Sequence, residues 1–102
     1  MKYIKEYEGL IIDELSIKSK EYQKYAGKYV ILEYRNEIYF VKFIKISIAW
    51  AKVDIYEWNE HYYIPLEDML YLNDFIVLQS FDTFEEASKE HKIIQNLKKY
   101  NL

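Results

Sequence analysis

Two histidines, His61 and His91, are the only imidazoles in the chain, and there is no cysteine. Thiolate ligands and disulfides are therefore excluded outright. His61 stands beside Glu60, with Asp54 and Glu57 a few residues earlier, but no metal-ligand spacing links them. His91 falls on the apolar stripe of a C-terminal helical pattern. A core-edge histidine with one satisfied nitrogen is the simpler reading there. The carboxylate pairs Glu67-Asp68 and Glu85-Glu86 are explained by a solvated turn and by a helix start. General acid–base work needs a shifted pKa in a cleft, and nothing in the spacing indicates one. No G-x-S-x-G, no H-E-x-x-H and no phosphate-cradling glycine loop is present, and Gly9 and Gly27 fit helix ends. The chain is read as non-enzymatic, with no cofactor and no metal.

The residues that remain chemically conspicuous are aromatic. They make up 19% of the chain, with twelve tyrosines and two tryptophans. So many tyrosines in a small domain cannot all be deep, because each buried hydroxyl wants a partner. From Ala49 to Glu57 the residues alternate, Ala51, Val53 and Ile55 on one side and Trp50, Lys52, Asp54 and Tyr56 on the other. If Ala51, Val53 and Ile55 point inward, Trp50 and Tyr56 point outward. Exposed aromatics need a reason, since apolar surface patches mark partner sites. Trp50, Tyr56, Trp58, Tyr39, Tyr34 and Lys52 are the candidate interface residues. The partner is another protein or a second copy of this chain, unless the N-terminal helix folds over the patch.

The elements that position them follow from pattern. The stretch EIYFVKFIKISIAWAKVDIYEW at 37–58 contains Lys42, Lys45, Lys52 and Asp54, too many charges for a membrane span. It is rich in β-branched and aromatic residues, and too long for one strand. Two strands with a bend near Ser47 and Ile48 are expected. A strand at 28–34 precedes them, joined through Arg35-Asn36, where Asn tolerates positive φ. Further strands are expected at 61–66, with Pro65 at an edge, and at 75–81. EDMLYLND between them reads as a connector with a single helical turn. Upstream, 2–8 suits a short strand. A helix is expected at least from Ser19 to Gly27, with Tyr22, Tyr25 and Ala26 facing the sheet. Thr83 and Glu86 form a capping box. It opens a helix to about residue 100 with Phe84, Ala87, His91, Ile94 and Leu97 as its packing stripe. The whole reads as one α+β domain over residues 1–102. Five antiparallel strands span 28–81, and a helix spans 83–100.

That order resembles the SH3-like small barrels, including Tudor-type domains. The resemblance lies in YVILEYRNEIYFVKFIKI and WAKVDIYEWNEHYYIPLEDMLYL, about half of the chain. It implies a five-stranded small barrel, although a meander with two helices gives much the same string. It also implies an aromatic cage where the first and third strands end. Tyr34, Tyr39, Tyr56, Trp58 and Asn59 occupy those places, and such a cage binds methylated Lys or Arg through cation–π attraction.

Charge narrows the partner. With 14 Lys and Arg against 17 Asp and Glu the net charge is −3. That argues against a general nucleic-acid binder. Arg35 is the single arginine, so bidentate base or phosphate readout has little material. The nucleic-acid alternative uses Lys42, Lys45 and Lys52 beside Trp50 and Tyr39. Residues 1–26 are too charged for a secretory signal, so a cytoplasmic location is expected. The excess of Ile, Lys, Tyr and Glu is what AT-rich coding yields. Taken together, these features suggest an inhibitor or adaptor encoded by a phage, plasmid or virus and aimed at a host protein.

Overall fold

The computed structural model describes residues 17–100, and the side chains of residues 17–97. The short strand expected at 2–8 lies outside the described residues. Helix α1 is described over residues 17–22 and tightens into a 3₁₀ turn at Gln23–Tyr25. Five strands follow: β1 (Tyr29–Tyr34), β2 (Glu37–Ile46), β3 (Trp50–Trp58), β4 (Tyr63–Tyr71) and β5 (Phe75–Phe81). Helix α2 (Phe84–Tyr100) closes the order. The fold is α+β: the strands form one antiparallel sheet in the order β4-β3-β2-β1-β5.

The turns show why the strands fold back where they do. Arg35 and Asn36 both take positive φ, 50° and 66°, which matches the twist of a two-residue hairpin. The β2–β3 turn has neither Gly nor Asn. It is held instead by Ser47, whose backbone N–H and hydroxyl both donate to the Trp50 carbonyl at 2.8 and 2.9 Å. In the β3–β4 turn the Asn59 side-chain oxygen accepts from the amides of His61 and Tyr62. Gly27 ends the N-terminal helical segment at φ 77°.

The sheet has two buried faces, and this decides its shape. On the inner face Val30, Leu32, Val41, Phe43, Ala51 and Val53 are fully buried. Tyr22 and Tyr25 lie over them, Tyr22 stacked on Phe75 at 5.4 Å and Tyr25 against Phe43. Ala26 was expected to join them but is exposed. On the other face Ile31 and Phe40 are fully buried, and Phe84 of α2 meets Tyr29, Phe40, Tyr56 and Tyr63. The sheet stays open, with β4 and β5 as its edges. A closed small barrel is therefore not formed. A barrel buries one face by curling on itself, whereas here helical segments pack on both sides.

β4 corrects a second expectation. EDMLY, residues 67–71, is strand and not a helical turn. All nine residues of β4 pair with β3, from Trp58 opposite Tyr63 to Trp50 opposite Tyr71. The turn comes only at residues 72–74. An edge strand this long invites pairing with other chains. Pro65 lacks a donor, and the Met69 amide is taken by the Asp68 carboxylate at 2.7 Å. On the far edge, a register shift between Ile31 and Leu32 leaves Leu78 of β5 without a β1 partner.

Helix α2 starts at the expected cap. The Glu86 amide donates to Thr83 Oγ1, and the Thr83 hydroxyl donates to the Glu86 carboxylate at 2.9 Å. Ala87, Ser88 and His91 are buried, but Leu97 is 57% exposed. The packing stripe thus ends before Leu97. In urea unfolding, Thr83→Ala should cost about 1 kcal/mol. Phe40→Ala should cost about 3–5 kcal/mol, and Leu97→Ala well under about 1 kcal/mol, as for a surface position.

Candidate functional site

Alternation along β3 splits the six candidate residues. Ala51 and Val53 are buried inward and Ile55 packs against the same core, so Trp50, Lys52, Tyr56 and Trp58 share the α2 face. Tyr56 is not an outward aromatic. It lies 4.8 Å from Phe40 and 5.2 Å from Phe84 by ring centroids, under α2. Burial raises its pKa, with the neighbouring Tyr29 and Asp54 adding to the shift. It is the C-terminal helix that covers the patch here. Trp50 lies beyond α2, 45% exposed and edge-on to Tyr71 at 5.1 Å. Lys52 is ion-paired with Glu67 at 2.8 Å, and that hydrogen bond raises its pKa.

Tyr34 and Tyr39 pack edge-to-face against each other, 6.1 Å apart, on the inner-face core. They do not close around Trp58 and Tyr56, and Asn59 spends its side chain on the turn. The cage implied by the family resemblance is not assembled. His61 is exposed in that same turn. Among the described residues no three His, Asp or Glu side chains stand together as a metal site.

A groove runs instead between α2 and the ends of β2, β3 and β4. Trp58 is 42% exposed and faces its cross-strand neighbour Tyr63 at 4.9 Å. Lys92 of α2 holds its ammonium 4.5 Å from the Trp58 ring centre and 5.8 Å from that of Tyr63. Trp58, Tyr63, His91, Lys92, Gln95 and Asn96 line a cavity of about 290 Å³. A second cavity of about 360 Å³ adjoins it across Trp58, His91 and Gln95, and brings in Tyr39, Tyr56 and Glu57.

His91 joins helix to sheet at the floor of this groove. It is 6% exposed, with Nδ1 2.9 Å from the Tyr63 hydroxyl and Nε2 3.2 Å from Gln95 Nε2. The consistent assignment has Gln95 N–H donating to Nε2, and Nδ1–H donating to the Tyr63 oxygen. The Tyr63 hydroxyl then points to the Ser88 carbonyl at 3.5 Å. A neutral ring satisfies both nitrogens. Burial lowers the His91 pKa and raises that of Tyr63.

Of the residues singled out from the sequence, Trp58 lines both cavities and Tyr56 and Tyr39 the second, and His91 is the core-edge histidine expected, with both ring nitrogens partnered rather than one. Sequence reasoning missed Tyr63, Lys92 and Gln95. The strand expected at 61–66 carries no register against its neighbour in the sequence alone, so the Trp58–Tyr63 pair was hidden. His91 and Gln95 stand i, i+4 on the helix, a spacing that offers a signal. Compared with family models, with curated proteins and with solved structures, the chain gives no match.

Two outcomes follow. A histidine whose folded pKa lies below its unfolded value leaves stability intact above about pH 6.5. Unfolding then becomes easier as pH falls below that value, because only the unfolded state takes up the proton readily. Tyr63 of β4, Phe40 of β2 and Gln95 of α2 contact His91, and Trp58, Tyr56 and Lys92 line the same cavities. His91→Gln should flatten the loss of stability between pH 7.5 and about 5, measured by urea unfolding at each pH. Separately, Tyr56→Ala should lower stability by about 3 kcal/mol, as large-to-small changes in packed aromatics do. Trp50→Ala should change it by less than about 0.5–1 kcal/mol.

Proposed function

We propose that this chain is a small, non-enzymatic protein-binding module and that the groove beside α2 is its contact surface. The observation that carries the reading is Trp58. It is a tryptophan left 42% exposed between two cavities, beside a cluster in which buried Phe40 packs with half-buried Tyr56 and Phe84. Binding energy at protein interfaces concentrates in Trp, Tyr and Arg seated against well-packed pockets. Rigid strands and a docked helix supply that support. The Trp50–Tyr71 pair, with Met69 exposed beside it, adds a second aromatic surface on the same face.

An inhibitor or adaptor role toward a host protein is part of this proposal, as are a phage, plasmid or viral origin and a cytoplasmic location. No described helix is long and apolar enough to cross a membrane. A relationship to SH3-like small barrels is likewise proposed. The register shifts in β1–β5 and β2–β3 support it, since such irregularities bend a sheet toward closure.

A nucleic-acid role is the second reading, favoured by one observation. Lys42, Lys45 and Lys52 share a face with Trp50, and Lys45 stands directly opposite Lys52. Against it, Lys52 is paired with Glu67, Lys42 lies opposite Asp54 and over the Tyr29 ring, and Tyr39 belongs to the other face.

The test is capture of a partner by the purified chain, repeated with Trp58→Ala. The variant should keep its melting temperature within a few degrees and lose the captured protein. Retained capture with an unchanged affinity would remove the groove from the reading. Binding that instead falls steeply between 50 and 200 mM salt would favour the phosphate-binding alternative.

A further inference from the structure

The groove already holds a cation, and that cation belongs to the chain itself. Lys92 projects from the exposed side of α2 and sets its ammonium over Trp58 at 4.5 Å, within reach of Tyr63 at 5.8 Å. No carboxylate is ion-paired to Lys92 among the described contacts, so the aromatic faces are what hold it. The Trp58 and Tyr63 rings stand 4.9 Å apart and tilted by 53°, a surface with its π-density turned toward one point.

We propose that the Trp58–Tyr63 surface is a receptor for an arginine side chain of the protein partner, and that Lys92 occupies it in cis until displaced. This rests on the groove being the binding surface argued above, and it names the chemistry of what enters.

Two features of the groove favour a guanidinium over the resident ammonium, and two further features favour a cation of either kind. A guanidinium is planar and weakly hydrated, so it stacks on indole where a lysine offers only a point charge. It brings five donors, and acceptors line the two cavities. Gln95 has its amide nitrogen on His91, which leaves its carbonyl oxygen turned away from the ring, and Asn96 stands next to it. His91 contributes no competing charge, because burial favours its neutral form. The chain also carries a net charge of −3, which draws a basic segment toward it. The site differs from the family's cage, since Tyr34 stands apart and α2 forms one wall.

Displacement of Lys92 has a measurable consequence. A cation–π contact at an exposed site is worth about 0.5–1 kcal/mol. Removing the cis occupant should therefore tighten binding of a cationic peptide roughly two- to fivefold.

The experiment uses the full chain and three short peptides that differ at one central residue: arginine, lysine or citrulline, the uncharged isostere of arginine. Binding is followed by NMR at the Trp58 indole N–H, assigned with Trp50→Phe. The expected order is arginine, then lysine, with citrulline weakest. Lys92→Ala should tighten the arginine peptide by that factor, Lys92→Arg should weaken it, and Trp58→Ala should abolish the response at Gln95. Equal binding of the citrulline and arginine peptides overturns the inference while leaving the groove a peptide site. Lys92→Ala that fails to tighten binding, or an arginine peptide that moves no groove resonance, overturns it as well. Failure of the groove itself is read separately, from partner capture that is insensitive to Trp58→Ala.

Discussion

Phe40 is the residue on which both the helix and the groove depend. It is fully buried at the middle of β2, on the face that α2 covers. Its ring touches Tyr56 at 4.8 Å, Tyr63 at 5.2 Å, Phe84 at 5.3 Å and His91 at 5.8 Å. Aromatic pairs at these separations contribute about 0.5–1.5 kcal/mol each beyond area burial. They bring together three strands and one helix far apart in sequence. Without that seam, α2 would have little beyond Ala87 and Ser88 to hold it down. The groove beside it would lose a wall.

The same constraint explains the division of aromatic labour. A sheet buried on both faces has no free surface at its centre, so Tyr56 and Phe40 are spent on packing. Only residues past the ends of α2's footprint stay open. Trp58 stays open at one end of β3 and Trp50 at the other. His91 sits at the boundary between these roles. It is buried enough to favour the neutral ring, and it fixes Gln95 by a hydrogen bond while lining the cavity.

Local chemistry was legible in the sequence where it was self-contained. The Arg35-Asn36 hairpin, the Thr83–Glu86 cap, Gly27 and the period of two in β3 each depend on a few adjacent residues. Edges were harder. EDMLY opens on two adjacent carboxylates, Glu67 and Asp68, and reads as a turn until pairing with β3 rescues its backbone. The choice between a barrel and a meander was not legible for a related reason. Whether a sheet closes depends on what covers its second face, and the string of strands does not show that α2 lies there. The groove was half legible. Trp58 is conspicuous by type, but Lys92 approaches it from a helix 34 positions later, and no spacing rule announces such a contact.

The central claim is that α2 and the aromatic face of the sheet are one cooperative unit that presents a preformed groove. Native-state amide hydrogen exchange tests it directly, because it assigns an opening free energy to each segment. The account predicts that the slowest amides of α2, around Ile94 and Gln95, open with the same free energy as those of Phe40 and Val41 in β2. Amides of α2 that exchange through an opening several kcal/mol cheaper than β2 would contradict it, showing a helix that undocks by itself and a groove that is not built in advance.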